Sequence, residues 1–198
     1  MEFKTVGGHT FCPDLLSDGV IIDVGARGFE FSSYFYGRKV FCIDPDEQIF
    51  DMAYMVREEL IPIIAAISDK SGYSSIYRNG EGTVLKELDH DQGHPFIPCK
   101  TITMEDLYKI TGENVDILKL DCEGAEYMIL GETFRPIPKQ ISVEFHAHTV
   151  PDIHHANITS ILERLSKHYN VYNKVWKEDN GCTFNYWDML FIRKDIDK

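Results

Sequence analysis

The sequence predicts an α/β fold, a largely parallel sheet covered on both faces. Two observations carry this expectation. Strand-like apolar runs alternate with segments of helical periodicity along most of the 198 residues. Polar residues also recur at the ends of those runs: Asp23, Asp44, Ser68-Asp69, Asp121 with Glu123, and Glu144 with His146. Ligands of open α/β sheets bind beyond the carboxyl ends of the strands, and randomly placed surface acids would not choose those positions.

The elements follow in order. Gly19 to Val24 is the first strand, with a short helix near Glu30 to Tyr36, and Lys39 to Ile43 is the second, stopped by Asp44-Pro45. Between Asp46 and Leu60, residues Ile49, Met52, Ala53, Val56 and Leu60 recur at helical spacing, which predicts a crossover helix with Asp46 and Glu47 favourable in its first turn. Ile61 to Ile67 reads as a third strand, Ser68 to Gly72 as a turn and Tyr73 to Arg78 as a returning strand. Asn79 to Pro98, which holds His90 and His94, has no regular pattern and is expected to form a loop over the substrate. Thr103 caps a helix reaching Tyr108, and Val115 to Leu120 and Gln140 to Phe145 are buried strands. Ile158, Ile161, Leu162 and Leu165 mark a helix, and Val171 to Trp176 and Tyr186 to Ile192 close the chain as an antiparallel hairpin around Asn180-Gly181.

With 43% hydrophobic and 12% aromatic residues, the chain fits one domain with a real core. No apolar run is long enough for a membrane span, and Met1 to Pro13 lacks a basic start followed by an apolar stretch. Cys12, Cys42, Cys99, Cys122 and Cys182 are odd in number and lack C-x-x-C spacing, so they read as reduced thiols in a cytoplasmic protein. The formal charge of -12 argues against polymeric nucleic acid as a partner, because phosphate backbones are bound by neutralising them with Lys and Arg. Arg38-Lys39 and Arg193-Lys194 are short pairs at strand ends and read as solvated termini.

The most informative segment is Val20 to Gly28, where a buried strand runs into Asp23 and then a glycine-punctuated turn that lets backbone approach a ligand. Asp23 stands where a dinucleotide-binding fingerprint has its first glycine and its pyrophosphate. A carboxylate there repels phosphate and attracts an ammonium, which suits S-adenosylmethionine better than NAD. Asp44, one β-α-β step later, is placed to accept hydrogen bonds from both ribose hydroxyls.

In the second segment, Asp116 to Glu126, Lys119 and Asp121 share one face of a strand by period two, and Glu123 follows at the helix entrance. A lysine beside two carboxylates either orients a polar substrate or caps the helix as a structural ion-pair network. Glu144, His146 and His148 alternate and can frame a hydroxyl-binding site or ligate a divalent metal; the first is favoured and no metal is expected. His146 is the candidate general base, since imidazole titrates near neutrality. His148, His154 and His155 read as loop residues.

These segments together resemble the FkbM family of S-adenosylmethionine-dependent methyltransferases. The resemblance rests on Asp23 to Gly28, Ile43-Asp44-Pro45, Ala66 to Gly72 and above all Lys119-Leu120-Asp121-Cys122-Glu123-Gly124-Ala125-Glu126, which is similar to the family's K-x-D-x-E-G-x-E pattern. It implies a Rossmann-like class I methyltransferase sandwich, with a mostly parallel seven-stranded sheet and an antiparallel C-terminal strand. It also implies O-methylation of a sugar or glycan hydroxyl, deoxyhexoses such as rhamnose included. The cofactor is expected against Asp23, Gly25, Ala26, Arg27, Gly28, Asp44, Pro45, Ile67, Ser68 and Asp121. Lys119, Asp121, Glu123, Glu144 and His146 are expected to face the acceptor. The chain departs from the pattern at Arg27-Gly28-Phe29, where many members carry Asn-x-Gly, and at Asp44, where many carry Glu. Residues 1–198 are expected to form a single methyltransferase domain, cut from, fused to or working with glycosyltransferases. The alternatives are a non-sugar small molecule or RNA ribose as acceptor, or a non-catalytic nucleotide-binding module.

Overall fold

The computed structural model describes residues 1–50, 57–79, 82–85, 96–131, 134–146, 155–179 and 182–197. It opens with a hairpin that the sequence pattern had left unassigned, β1 (Lys4–Val6) and β2 (His9–Phe11). Then come β3 (Val20–Val24), α1 (Glu30–Tyr34), β4 (Val40–Asp44), β5 (Leu60–Ile64), β6 (Ala66–Ile67), β7 (Gly72–Asn79), β8 (Gly82–Leu85) and β9 (Ile97–Ile102). The remainder is α2 (Met104–Thr111), β10 (Val115–Leu120), α3 (Glu126–Ile129), β11 (Gln140–His146), α4 (His155–Leu165), β12 (Tyr169–Asp179) and β13 (Cys182–Arg193).

The main sheet has seven strands in the order β12-β13-β11-β10-β3-β4-β5. The pairs β3/β4, β4/β5, β3/β10 and β10/β11 are parallel, and β13 runs antiparallel to both β11 and β12. The expected Rossmann-like sheet with an antiparallel C-terminal strand is therefore the one that forms. From β3 the chain moves outward to β4 and β5, then returns to the other side as β10 and β11. The order thus reverses between β3 and β10, where ligands of such sheets bind. The central strands are nearly continuous apolar runs because helices, the hairpin and a second sheet cover both faces.

On one face Ile22, Leu118, Leu120, Ile141 and Val143 pack with Ile158, Ile161 and Leu165 of α4 and with Ile76, Leu85 and Ile102 of the second sheet. On the other, Ile21, Val40 and Ile117 meet Phe11 of the hairpin and Phe31 and Phe35 of α1. At the amino ends of the strands Asp116 is fully buried and paired with Arg38 at 2.5 Å and Lys139 at 2.8 Å. Arg38 is therefore a structural partner rather than a solvated terminus.

Three expectations change. The helix expected over 46–60 begins as a single 3-10 turn, Glu47–Ile49, its positions 51–56 lie outside the described residues, and Leu60 opens β5. The third strand breaks at Ala65: β5 stays in the main sheet while β6 joins a four-stranded sheet of order β6-β9-β7-β8. The segment Asn79 to Pro98 contributes β8 and the start of β9 to that sheet, and positions 86–95, including His90 and His94, lie outside the described residues. Among the described residues no helix is long and apolar enough to cross a membrane. Cys12, Cys42, Cys99 and Cys122 are free thiols.

The turn after β3 is wedged in place. Gly25 donates its N–H to the Ile43 carbonyl at 2.9 Å, has φ +76°, and a Cβ there would lie 1.7 Å from the Asp121 carbonyl oxygen. Gly28 has φ +78° with open space around it. Gly25→Ala is therefore expected to cost more than about 3 kcal/mol in thermal unfolding, strain plus overlap, against about 1–2 kcal/mol for Gly28→Ala. Equal losses for the two would show that the turn yields freely.

Candidate functional site

Period-two alternation places Asp23, Lys119 and Ser142 side by side on one face, because β3, β10 and β11 pair Asp23 with Lys119 and Lys119 with Ser142. The Lys119 ammonium lies 3.0 Å from Asp23 Oδ1 and 3.5 Å from Asp121 Oδ2, and donates to the Gly25 carbonyl at 2.6 Å. Burial alone would lower the Lys119 pKa; Asp23 and Asp121 outweigh it and hold the amine charged. On its other side Asp23 accepts the Ser32 hydroxyl of α1 at 2.5 Å.

The hairpin reaches the same row. Gly7 and Gly8, both at positive φ, form its two-residue turn and deliver His9, 2% exposed, onto β11. His9 Nδ1 shares a hydrogen bond with Ser142 Oγ at 3.3 Å, and His9 Nε2 faces Asp121 Oδ2 at 3.4 Å. Asp121 thus meets His9, Lys119 and, at 3.5 Å, His146 Nε2. Burial would raise its pKa, but Lys119 and then His9 overcome that and hold the carboxyl well below the usual range.

β10 ends in a tight turn before α3, where Glu123 has φ +51°, a left-handed conformation that side chains rarely adopt outside functional sites. Burial raises the Glu123 pKa. Glu126 is fully buried and accepts the Cys122 and Gly124 N–H groups at 2.7 and 3.0 Å, which closes the turn. Its Oε1 also lies 3.1 Å from His146 Nδ1. Burial would lower the His146 pKa, but Glu126 reverses this and raises it to about 10, which favours the protonated ring. A ring pushed toward its protonated form by Glu126 is a poorer proton acceptor than the near-neutral imidazole expected of a general base.

At the strand-order reversal a cavity of about 510 Å³ is lined by Asp23, Gly25, Arg27, Gly28, Asp44, Pro45, Ile67, Lys119, Asp121 and Glu123 among the expected residues, and by Gly7 of the hairpin. Two expected cofactor contacts do not line it. Ala26, 1% exposed, packs into the apolar cluster beneath α1. Ser68 is carried off when β6 pairs with β9, and its hydroxyl donates to Asp69. Glu144 and His146 do not line it either; both stand on the Ser142 face of β11, with Glu144 beside His9 and Asp121. His148 and His154 lie outside the described residues, and His155 opens α4. Sequence reasoning missed His9, Ser32 and Ser142. Only His9 had a local signal, the Gly7-Gly8 pair of a two-residue hairpin.

Asp44, 4% exposed, accepts the Asp46 N–H at 2.8 Å, yet burial raises its pKa from 3.8 to about 6. The native state therefore keeps this proton over a range in which the unfolded chain has lost it, so the carboxylate lowers stability progressively from about pH 4 to pH 6 and fully above. Asp44→Asn, which keeps an acceptor for Asp46, is expected to raise stability at pH 7 to 8 by up to about 3 kcal/mol, seen as a higher Tm, with the gain gone below about pH 4. A pH-independent difference in Tm would contradict this.

Residues 23–169 match the Methyltransferase FkbM domain family. No curated protein matches the chain. A solved structure, the fibrillarin/Nop5p complex, contains a chain of similar fold, with a TM-score of 0.51 and 11% identity over 89% of this chain and 73% of that one. With its pattern residues at the reversal of a methyltransferase-type sheet, the chain belongs to the FkbM methyltransferase family.

Proposed function

We propose that the chain transfers a methyl group from S-adenosylmethionine to a hydroxyl of a sugar or glycan and releases S-adenosylhomocysteine. One observation carries the cofactor: the cavity at the strand-order reversal is lined by Asp23, Glu30, Asp44, Asp121 and Glu123 against only Arg27 and Lys119. That surplus of carboxylate favours a ligand carrying a sulfonium and an ammonium and disfavours a pyrophosphate. The volume, about 510 Å³, is within the usual range for small-molecule sites. In this reading Asp44 accepts the ribose hydroxyls, Pro45 and Ile67 flank the base, and the Gly25 to Gly28 turn holds the methionine moiety.

The acceptor lies toward Asp121, Glu123 and Glu144, carboxylates suited to a polyhydroxyl compound. Its oxygen attacks the methyl carbon, the C–S bonding pair passes to sulfur, and the hydroxyl proton passes to a carboxylate. Glu123 is that carboxylate, because it lines the cavity while His146 does not and is engaged by Glu126. His146 lies 4.0 Å from Glu123 Oε2 and 3.5 Å from Asp121 Oδ1, where its charge positions both. Placing oxygen and methyl in line supplies most of the acceleration, and proton removal adds about 10²–10⁴. Residues 1–198 act here as one methyltransferase domain, and glycosyltransferases, which make such acceptors, are the matching partners.

Calorimetry should show S-adenosylhomocysteine binding and NAD not; the reverse would favour a dinucleotide module. Labelled cofactor should mark deoxysugar glycosides rather than RNA, and label on RNA alone would replace the acceptor class. Glu123→Gln should cut kcat by about 10²-fold or more with S-adenosylhomocysteine affinity unchanged. Because Asp44 takes up a proton near pH 6, that affinity should fall by up to about tenfold per pH unit below it, and Asp44→Asn should flatten the dependence.

A further inference from the structure

The structure assigns a divalent-cation site to His9, Asp121 and Glu144, beside the cavity on the face where the acceptor is proposed to bind. These residues come from β2, the end of β10 and β11, and one ligand atom of each lies within 4.8 Å of the others. One imidazole and two carboxylates form a donor set for a Mn²⁺-type ion that keeps open positions for oxygen ligands. The trio differs from Glu144, His146 and His148, because His146 turns to Glu126 and the hairpin supplies His9 instead.

One further observation points the same way. His9 is almost fully buried, with Nδ1 held at 3.3 Å by Ser142 Oγ. His9 Nε2 faces Asp121 Oδ2 at 3.4 Å, and an ion bound between them would take the Nε2 lone pair while Ser142 fixes the ring through Nδ1, as an outer hydrogen bond does for metal-bound histidines. Lys119 and His146 also face Asp121, both at 3.5 Å, longer than the roughly 2.7–3.2 Å of a well-formed N–H···O bond. Asp121 is therefore surrounded without being tightly closed.

A cation held here would bind acceptor hydroxyls and favour loss of their proton, a role that rests on the methyl-transfer reading; binding of the ion does not. Mn²⁺ titrated into chelator-treated full-length protein and followed by electron paramagnetic resonance should show one saturable site. His9→Gln and Glu144→Gln should each weaken it more than about tenfold, and Ser142→Ala about tenfold, with melting temperatures confirming folded variants. Absence of saturable binding to the wild type, or wild-type affinity in both ligand variants, overturns the site. S-adenosylhomocysteine binding to the chelated protein, measured in parallel, separates that outcome from failure of the proposed function.

Discussion

The Lys119 ammonium, 4% exposed, ties together the carboxyl ends of the two central strands. It pairs with Asp23 from β3 and Asp121 from β10 and donates to the Gly25 carbonyl in the turn between β3 and α1. Removing one partner of such a buried set leaves an uncompensated charge, at a cost of about 3–5 kcal/mol. The same contacts set where the cavity opens, because they join the two strands at which the chain order reverses. The fold and the cavity therefore share one electrostatic constraint, the ion-pair network around Lys119.

Around that pair, polar residues extend as a line across one face of the sheet. Ser32 meets Asp23 and Cys42 on one side, and Ser142 and His9 continue from Lys119 on the other. Buried polar groups need partners, and each member of this line has one within the line. The hairpin is thus more than a cover for Phe11: it completes the line and adds Gly7 to the cavity wall. It also precedes residues 23–169, so part of the wall comes from outside the matched family region.

The opposite wall depends on the break at Ala65. Ala65 donates to the Asp44 carbonyl at 3.2 Å and ends β5, and β6 then turns into the second sheet, which brings Ile67, Ile76 and Leu85 to the cavity. Apolar side chains there and carboxylates at Asp23, Asp121 and Glu123 make a cavity with one apolar and one charged side.

The α/β class, the strand-end positions of Asp23, Asp44, Lys119, Asp121 and Glu123, and the family were legible in the sequence, because each depends on local periodicity or on a short motif. The tertiary structure alone decided what depends on distant partners. Glu126 pulled the His146 pKa upward, pairing with β9 removed Ser68 from the cavity, and α1 packing buried Ala26. His9 reached Asp121 across 112 positions of chain. A motif records which side chains a strand end presents; the charge each carries depends on neighbours that folding brings from elsewhere.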